Sequence, residues 1–348
     1  MTQLDLLFPF ALPPQELARD LLRELKAPSL ALLLARAKPA AASSNDEFSR
    51  ALPHERWLAQ HLGLPAAQDN SSPPLAAGML RAAGIDAPDG FWFLLQPANF
   101  HIARDHLVLT DLRQLALSEQ EARTLFDSAA PLFAEAGKTL HHVDATTWLL
   151  RADDWHALQT STPDAACGHN IDIWMPHGAQ ARDWRRLQNE VQMHWHAHPV
   201  NEAREMRGSK PVNTIWLWGG AAANAQNDSA KFDTAYTSGD PHAPFAAAAG
   251  AVHIDSVEAV CSSQGQYPLL FLDDLLAPAL TGDWAEWLVR FQAADERWFA
   301  PLLEAVRAGR ITRLSMTFSH GTATASYRIS KSALCKFWRA PSLSRLSA

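Results

Sequence analysis

Apolar residues recur at helical spacing in the middle of the chain: Trp184, Leu187, Val191 and Trp195 fall on one face of a predicted helix. Pro199 interrupts that helix, because proline lacks an amide proton and clashes with the preceding turn. Asn201 is the expected cap of a second short helix over residues 202–206, which Gly208 ends. Pro211 opens an extended connection. Residues 214–218 (TIWLW) are then a short apolar run before Gly219 and Gly220, the pattern of a buried strand ending at a tight turn.

The same reading extends along the chain. Residues 4–12 predict a strand broken by Pro13 and Pro14, followed by an amphipathic helix over 15–25, an apolar segment over 30–34 and a loop over 38–47. Residues 54–62 predict a helix with Trp57 and Leu58 inward, 66–74 a loop, and 75–83 a short helix. A second unit begins near Gly90 with FWFLLQPANFHIA and a strand over 107–110. Ser118 and Glu121 have capping-box spacing, which starts a helix running to about residue 136, where Gly137 stops it. Strands are expected over 139–143 and 147–151, a loop over 221–230, a small helix or turn over 246–251, and a buried strand over 267–272 running into Asp273 and Asp274. Asp283 caps a long helix over 284–308 that places Trp287, Phe291, Trp298 and Leu302 near one face. A hairpin of 311–318 and 322–329 turns at His320 and Gly321, and a short aromatic helix over 330–338 follows. Strands interspersed with helices give an α/β class, with a central sheet expected from the first strand, 214–218 and 267–272.

The chain has 348 residues, 47% of them hydrophobic and 19% charged, enough for a large core. A formal charge of -7 argues against general nucleic-acid binding, which depends on cations that neutralise phosphates. Cys167, Cys261 and Cys335 are far apart and show neither zinc nor redox spacing, so reduced thiols in the cytoplasm are the expectation. No run has the length of a membrane span, and the N-terminus, with Asp5 and no basic lead, reads as a strand and not a signal peptide.

Residues 198–220, HPVNEAREMRGSKPVNTIWLWGG, resemble the segment of archaeal-type cofactor-independent phosphoglycerate mutases that ends in a Pro-Ala-Asn, apolar strand, Trp-Gly pattern. They resemble RpfE-type regulatory proteins of proteobacteria more closely, and that likeness covers most of the chain. The resemblance implies a trimmed alkaline-phosphatase/phosphoglycerate-mutase-like core sheet. In it, residues 1–89 and 179–348 supply the core and 90–178 form an α+β inserted unit. It also implies, for active members, a Ser or Thr nucleophile and two cations held by Asp and His. Here the first strand ends in prolines with no Asp-Gly pair, and Gly168-His169 falls in the inserted unit. The inserted unit's expected arginine motifs are replaced by Leu95 to Asn99 and by Thr147 and Trp148. Asn99 survives as a polar contact, with Arg104 and Arg151 nearby in sequence.

Within the matching stretch Arg204 and Arg207 are i, i+3 neighbours. With Asn201, Asn213 and Gly219 they form the expected ligand-binding set, for a phosphorylated or carboxylated small molecule; the alternative is that the asparagines satisfy turns and the arginines meet carboxylates. His194 and His198 have i, i+4 spacing, but packing is the favoured role. Asp273 and Asp274 follow a buried strand, where α/β sites gather. The expectation is a cytoplasmic regulatory or ligand-binding protein with no cofactor, no metal and no catalytic site. The alternative is a phosphoglycerate mutase or related phosphotransferase acting on a phosphorylated small acid.

Overall fold

The apolar run that opens the chain forms strand β1, Gln3–Phe8, which carries Leu4, Leu6 and Phe8 on one buried face. The computed structural model describes residues 3–67, 70–87, 89–225, 230–262 and 265–347. Within them the later strands are β2 (Lys38–Ser44), β3 (Phe91–Ala98), β4 (Phe100–Ala103), β5 (His106–Leu109), β6 (Thr139–His142) and β7 (Trp148–Arg151). They continue with β8 (Thr214–Ala222), β9 (Thr234–Thr237), β10 (Val252–His253), β11 (Pro268–Phe271), β12 (Arg313–Ser319) and β13 (Ala323–Ser330). The chain divides into two compact units, one of residues 1–47, 52–63 and 229–348, the other of 48–51 and 64–228. The second is larger than the expected 90–178, because β8 pairs with β3 along its length.

The first unit is built on a seven-stranded mixed sheet in the order β10-β9-β11-β1-β12-β13-β2. Strands β10, β9, β11, β1 and β12 are parallel, and β13 and β2 add antiparallel strands at one side. Phe8 meets Phe291 and Phe299 of the long helical segment, with ring centroids 5.2 and 5.6 Å apart. That segment starts where predicted: Asp283 accepts the Glu286 amide, and Trp287, Phe291, Trp298 and Leu302 are fully buried. It is not one regular helix. Helices Trp284–Ala294 and Ala300–Ala308 are joined by a π turn, Asp295–Phe299. The turn directs the Asp295 carboxylate onto the Ser29 and Leu30 amides (3.1 and 2.8 Å), capping helix Pro28–Arg36 from a distant part of the chain. Residues 38–44, expected to be a loop, are edge strand β2. Its seven side chains are all exposed, so no burial pattern marks it in the sequence.

The second unit carries a four-stranded antiparallel sheet, β6-β7-β3-β8, and the hairpin β4-β5. The predicted capping box is present: Ser118 Oγ and the Glu121 amide lie 3.3 Å apart, and Glu121 returns to the Ser118 amide at 3.0 Å, opening helix Glu119–Glu135. Trp184, Leu187, Val191 and Trp195 of helix Ala181–His196 pack into one core with Phe126, Phe133, Trp148, Ile215 and Leu217. Three expectations change. The second short helix is Pro199–Met206, capped by His198 (Nδ1 accepting the Val200 amide at 3.2 Å) with Pro199 in its first turn, so Asn201 lies inside the helix. The strand after it does not stop at the glycines. Gly219 and Gly220 continue β8 through a bulge, where Trp92 faces Ala221 but Leu94 faces Trp218. Finally β8 belongs to this sheet and not to the one containing β1.

Candidate functional site

Ligands of open α/β sheets gather at the carboxyl ends of the strands, which in the first unit means the residues following β1, β9, β11 and β12. After β11 come Asp273 and Asp274; after β9 comes Ser238. The Ser238 hydroxyl lies 3.3 Å from Asp273 Oδ1 and 3.1 Å from Asp274 Oδ2, and also accepts the Asp273 amide at 3.3 Å. A hydroxyl has one proton, so it serves one carboxylate at a time. Gly239 is required beside them, because a Cβ there would stand 1.8 Å from Asp273 Oδ2. His253 donates Nδ1–H to the Gly239 carbonyl at 2.8 Å.

The end of β1 is different. Phe10 holds a left-handed backbone, φ 55°, a strained state for a bulky side chain. Both of its backbone groups are held. Its amide donates to Ser319 Oγ at 3.2 Å, and its carbonyl accepts the Trp287 indole N–H at 2.9 Å. The buried His54 ring stands edge-on to Phe10 and 3.3 Å from Ser319 Oγ. Aromatic rings and internal hydrogen bonds therefore occupy the place where the resemblance implies a metal ligand. A two-metal centre needs several carboxylates and imidazoles converging on the cations. The parallel strands are followed here by Asp240 after β9, Asp255 after β10, and Asp273 and Asp274 after β11. Among the described residues no group of three or more His, Cys, Asp or Glu is arranged to hold a metal ion.

The expected ligand set lies in the second unit, and protein groups meet the side-chain polar atoms of Arg204, Asn201 and Asn213. Arg204 is 1% exposed. Its Nε donates to the Lys210 carbonyl at 2.9 Å, one terminal nitrogen reaches Glu121 Oε2 at 3.0 Å, and the other donates to the Leu115 carbonyl. Arg207 bonds the second Glu121 oxygen. Burial opposes the Glu121 charge, but the Ser118 amide and hydroxyl, Arg207 and Arg204 outweigh it and hold the carboxyl at about 2. Asn201 donates to the Trp195 and Val212 carbonyls, both at 2.9 Å, and accepts the Val212 amide at 2.8 Å. Asn213 exchanges two 2.8 Å bonds with the Phe100 backbone. The Gly219 amide donates to Ser72 Oγ at 2.9 Å, and a Cβ there would meet Leu94 at 2.7 Å.

Arg204 and Arg207 do come together, on one carboxylate. Asn213, just before β8, and Gly219 within it lie six residues apart, roughly 20 Å at strand rise. These contacts brace the connections around β8.

The remaining polar residues have similar settings. Asn99 donates to the Pro211 carbonyl and accepts the Thr110 hydroxyl, Arg151 pairs with Asp153, and Arg104 sits at the β4–β5 turn. Burial and neighbouring His194 lower the His198 pKa below the ordinary imidazole value, and the two rings are 6.4 Å apart. The Ser238, Phe10 and His54 arrangements were not singled out from sequence. Only Asp273 and Asp274, following a buried strand, pointed to that edge.

A stretch of 124 residues is 26% identical to the 2,3-bisphosphoglycerate-independent phosphoglycerate mutase of Methanosarcina mazei, covering 34% of this chain and 30% of that relative. Over that stretch the chain is similar to a cofactor-independent phosphoglycerate mutase, and it spans less than a third of that relative's length. No family model matches it. Its structure is similar to the PH0037 protein of Pyrococcus horikoshii at TM-score 0.52 and 14% identity, covering 94% of this chain and 87% of that one. Against a cofactor-independent phosphoglycerate mutase of Thermoplasma acidophilum the TM-score is 0.48 at 14% identity, over 100% of this chain and 94% of that one. The mixed α/β fold agrees with the class read from the sequence. Among the described residues no helix is long and apolar enough to cross a membrane.

Proposed function

We propose that this chain is a regulatory or ligand-binding protein of the RpfE type, working in the cytoplasm on a mutase-like scaffold without the mutase reaction. The observation that carries this reading is the end of β1, where Phe10, clamped by Ser319 and Trp287 and backed by His54, takes the position the resemblance gives to a metal ligand. The three free cysteines accord with a reducing compartment. The Arg204 network does not favour an anion, because buried Arg204 spends its donors on Glu121 and on the Lys210 and Leu115 carbonyls. The test is elemental analysis of the purified protein together with a phosphoglycerate mutase assay in added manganese. Less than stoichiometric metal and no turnover are expected; two tightly bound cations per chain with turnover overturn the reading.

A second reading, a phosphotransferase acting on a phosphorylated small acid, draws on the Ser238 hydroxyl set between Asp273 and Asp274. The same assay separates the two. Ser238→Ala must abolish any turnover if that hydroxyl takes part.

A further inference from the structure

Beside the bulge at Gly219 and Gly220 the second unit holds a cavity of about 230 Å³. Phe91, Pro65 and Pro74 give it apolar walls, and Ser71, Ser72 and His156 supply side-chain polar atoms. None of the residues described as lining it is Asp, Glu, Lys or Arg. Among these described residues a multiply charged ligand finds no counter-charge to replace the hydration it would lose. Its volume equals about eight waters and falls below the roughly 300 Å³ at which drug-sized pockets begin, which limits an occupant to about one ring and a short substituent.

The two serines differ. Ser72 Oγ accepts the Gly219 amide at 2.9 Å and lies 2.7 Å from Thr160 Oγ1, to which its hydroxyl can donate, so it has protein partners on both sides. Ser71 Oγ accepts the Thr160 amide at 3.0 Å. An amide nitrogen is only a donor, so this bond leaves the Ser71 hydroxyl hydrogen without an acceptor among the described residues. The residue is 7% exposed, and a buried donor left unpaired is costly. We propose that the cavity binds a small uncharged single-ring compound whose carbonyl oxygen accepts the Ser71 hydroxyl hydrogen while the ring lies against Phe91 and the prolines. This deepens the ligand-binding reading above and rests on it.

The test titrates benzamide, a neutral ring with a carbonyl acceptor, into the full-length protein by ligand-observed NMR, with benzoate and benzylammonium as charged counterparts. Saturable benzamide binding is expected, with both charged compounds weaker. Ser71→Ala should weaken benzamide roughly three- to tenfold, the range for one neutral hydrogen bond, and Ser71→Thr should restore it. Ser71 also holds the Thr160 amide, so Ala222→Leu, which fills the cavity and leaves every one of these hydrogen bonds in place, is the second variant and should abolish binding. The absence of saturable benzamide binding in the wild type, benzoate binding as tightly as benzamide, or an Ala222→Leu protein that binds normally overturns the proposal. Metal-dependent turnover would overturn the non-catalytic reading and leave the binding result standing.

Discussion

At the scale of single residues, Glu121 does more than complete a helix cap. One carboxylate receives the Ser118 amide and hydroxyl, buried Arg204 and half-exposed Arg207. Removing one partner of a buried pair leaves the other charge uncompensated, so Glu121→Gln and Arg204→Met are each expected to cost about 3–5 kcal/mol in denaturant unfolding. Arg207→Ala, at the exposed end, is expected to cost less than about 1 kcal/mol. Equal losses for the two arginines would show that burial does not set the difference. The carboxyl is held at about 2 against an ordinary 4.5, so its stabilising contribution is fully present above about 4.5 and is lost as pH falls toward about 2. Glu121→Gln should flatten that acid limb of the stability profile. The cap itself was legible in the sequence because its residues are three apart. Arg204 is 83 residues from Glu121, and no local pattern encodes that meeting.

At the scale of elements, β8 shows both what sequence can specify and where it stops. Its apolar run marks a buried strand, and Trp216 is 1% exposed. Trp216→Ala is expected to lose about 3–5 kcal/mol. Trp216→Phe keeps most of the ring but abandons the indole bond to the Ser161 carbonyl (2.8 Å), for an expected loss of about 1–3 kcal/mol. Guanidinium unfolding of the two variants checks the order, and wild-type stability in Trp216→Ala would place that ring outside the core. The glycines after it read as a stop, because in isolation Gly-Gly marks a turn. In the fold the Phe91 and Phe93 rings fill the space a Gly220 side chain would take, so the pair lets the strand continue beneath them. Long amphipathic helices and the β12–β13 hairpin were readable because their periodicity repeats over many residues. Strand β2 was not, since KPAAASS has neither alternation nor branched or aromatic side chains.

At the scale of the molecule, the second unit is assembled from a long segment and a short one, 64–228 and 48–51. Arg50 in the short segment is buried and donates to Ser161 Oγ (2.8 Å) and to the carbonyls of Ile173, Trp174 and Met175. Arg50→Ala is expected to cost that unit about 3 kcal/mol through the stranded acceptors. Hydrogen exchange should then show weaker protection in β3, β7 and β8 with β1 and β12 unchanged; uniform loss in both units would mean that they open as one. The same threading of the chain has a consequence during synthesis. Strand β1 is made before the other described strands, yet among the described residues its partners are β11 and β12, and Gln3 faces Arg313, 310 residues later. At about 5–20 residues per second a ribosome takes on the order of 15–60 s to supply that partner. Until β11 emerges, late in that interval, the nascent chain carries an unpaired apolar strand, while the residues of β3 to β8 have already emerged as a set that can pair among themselves.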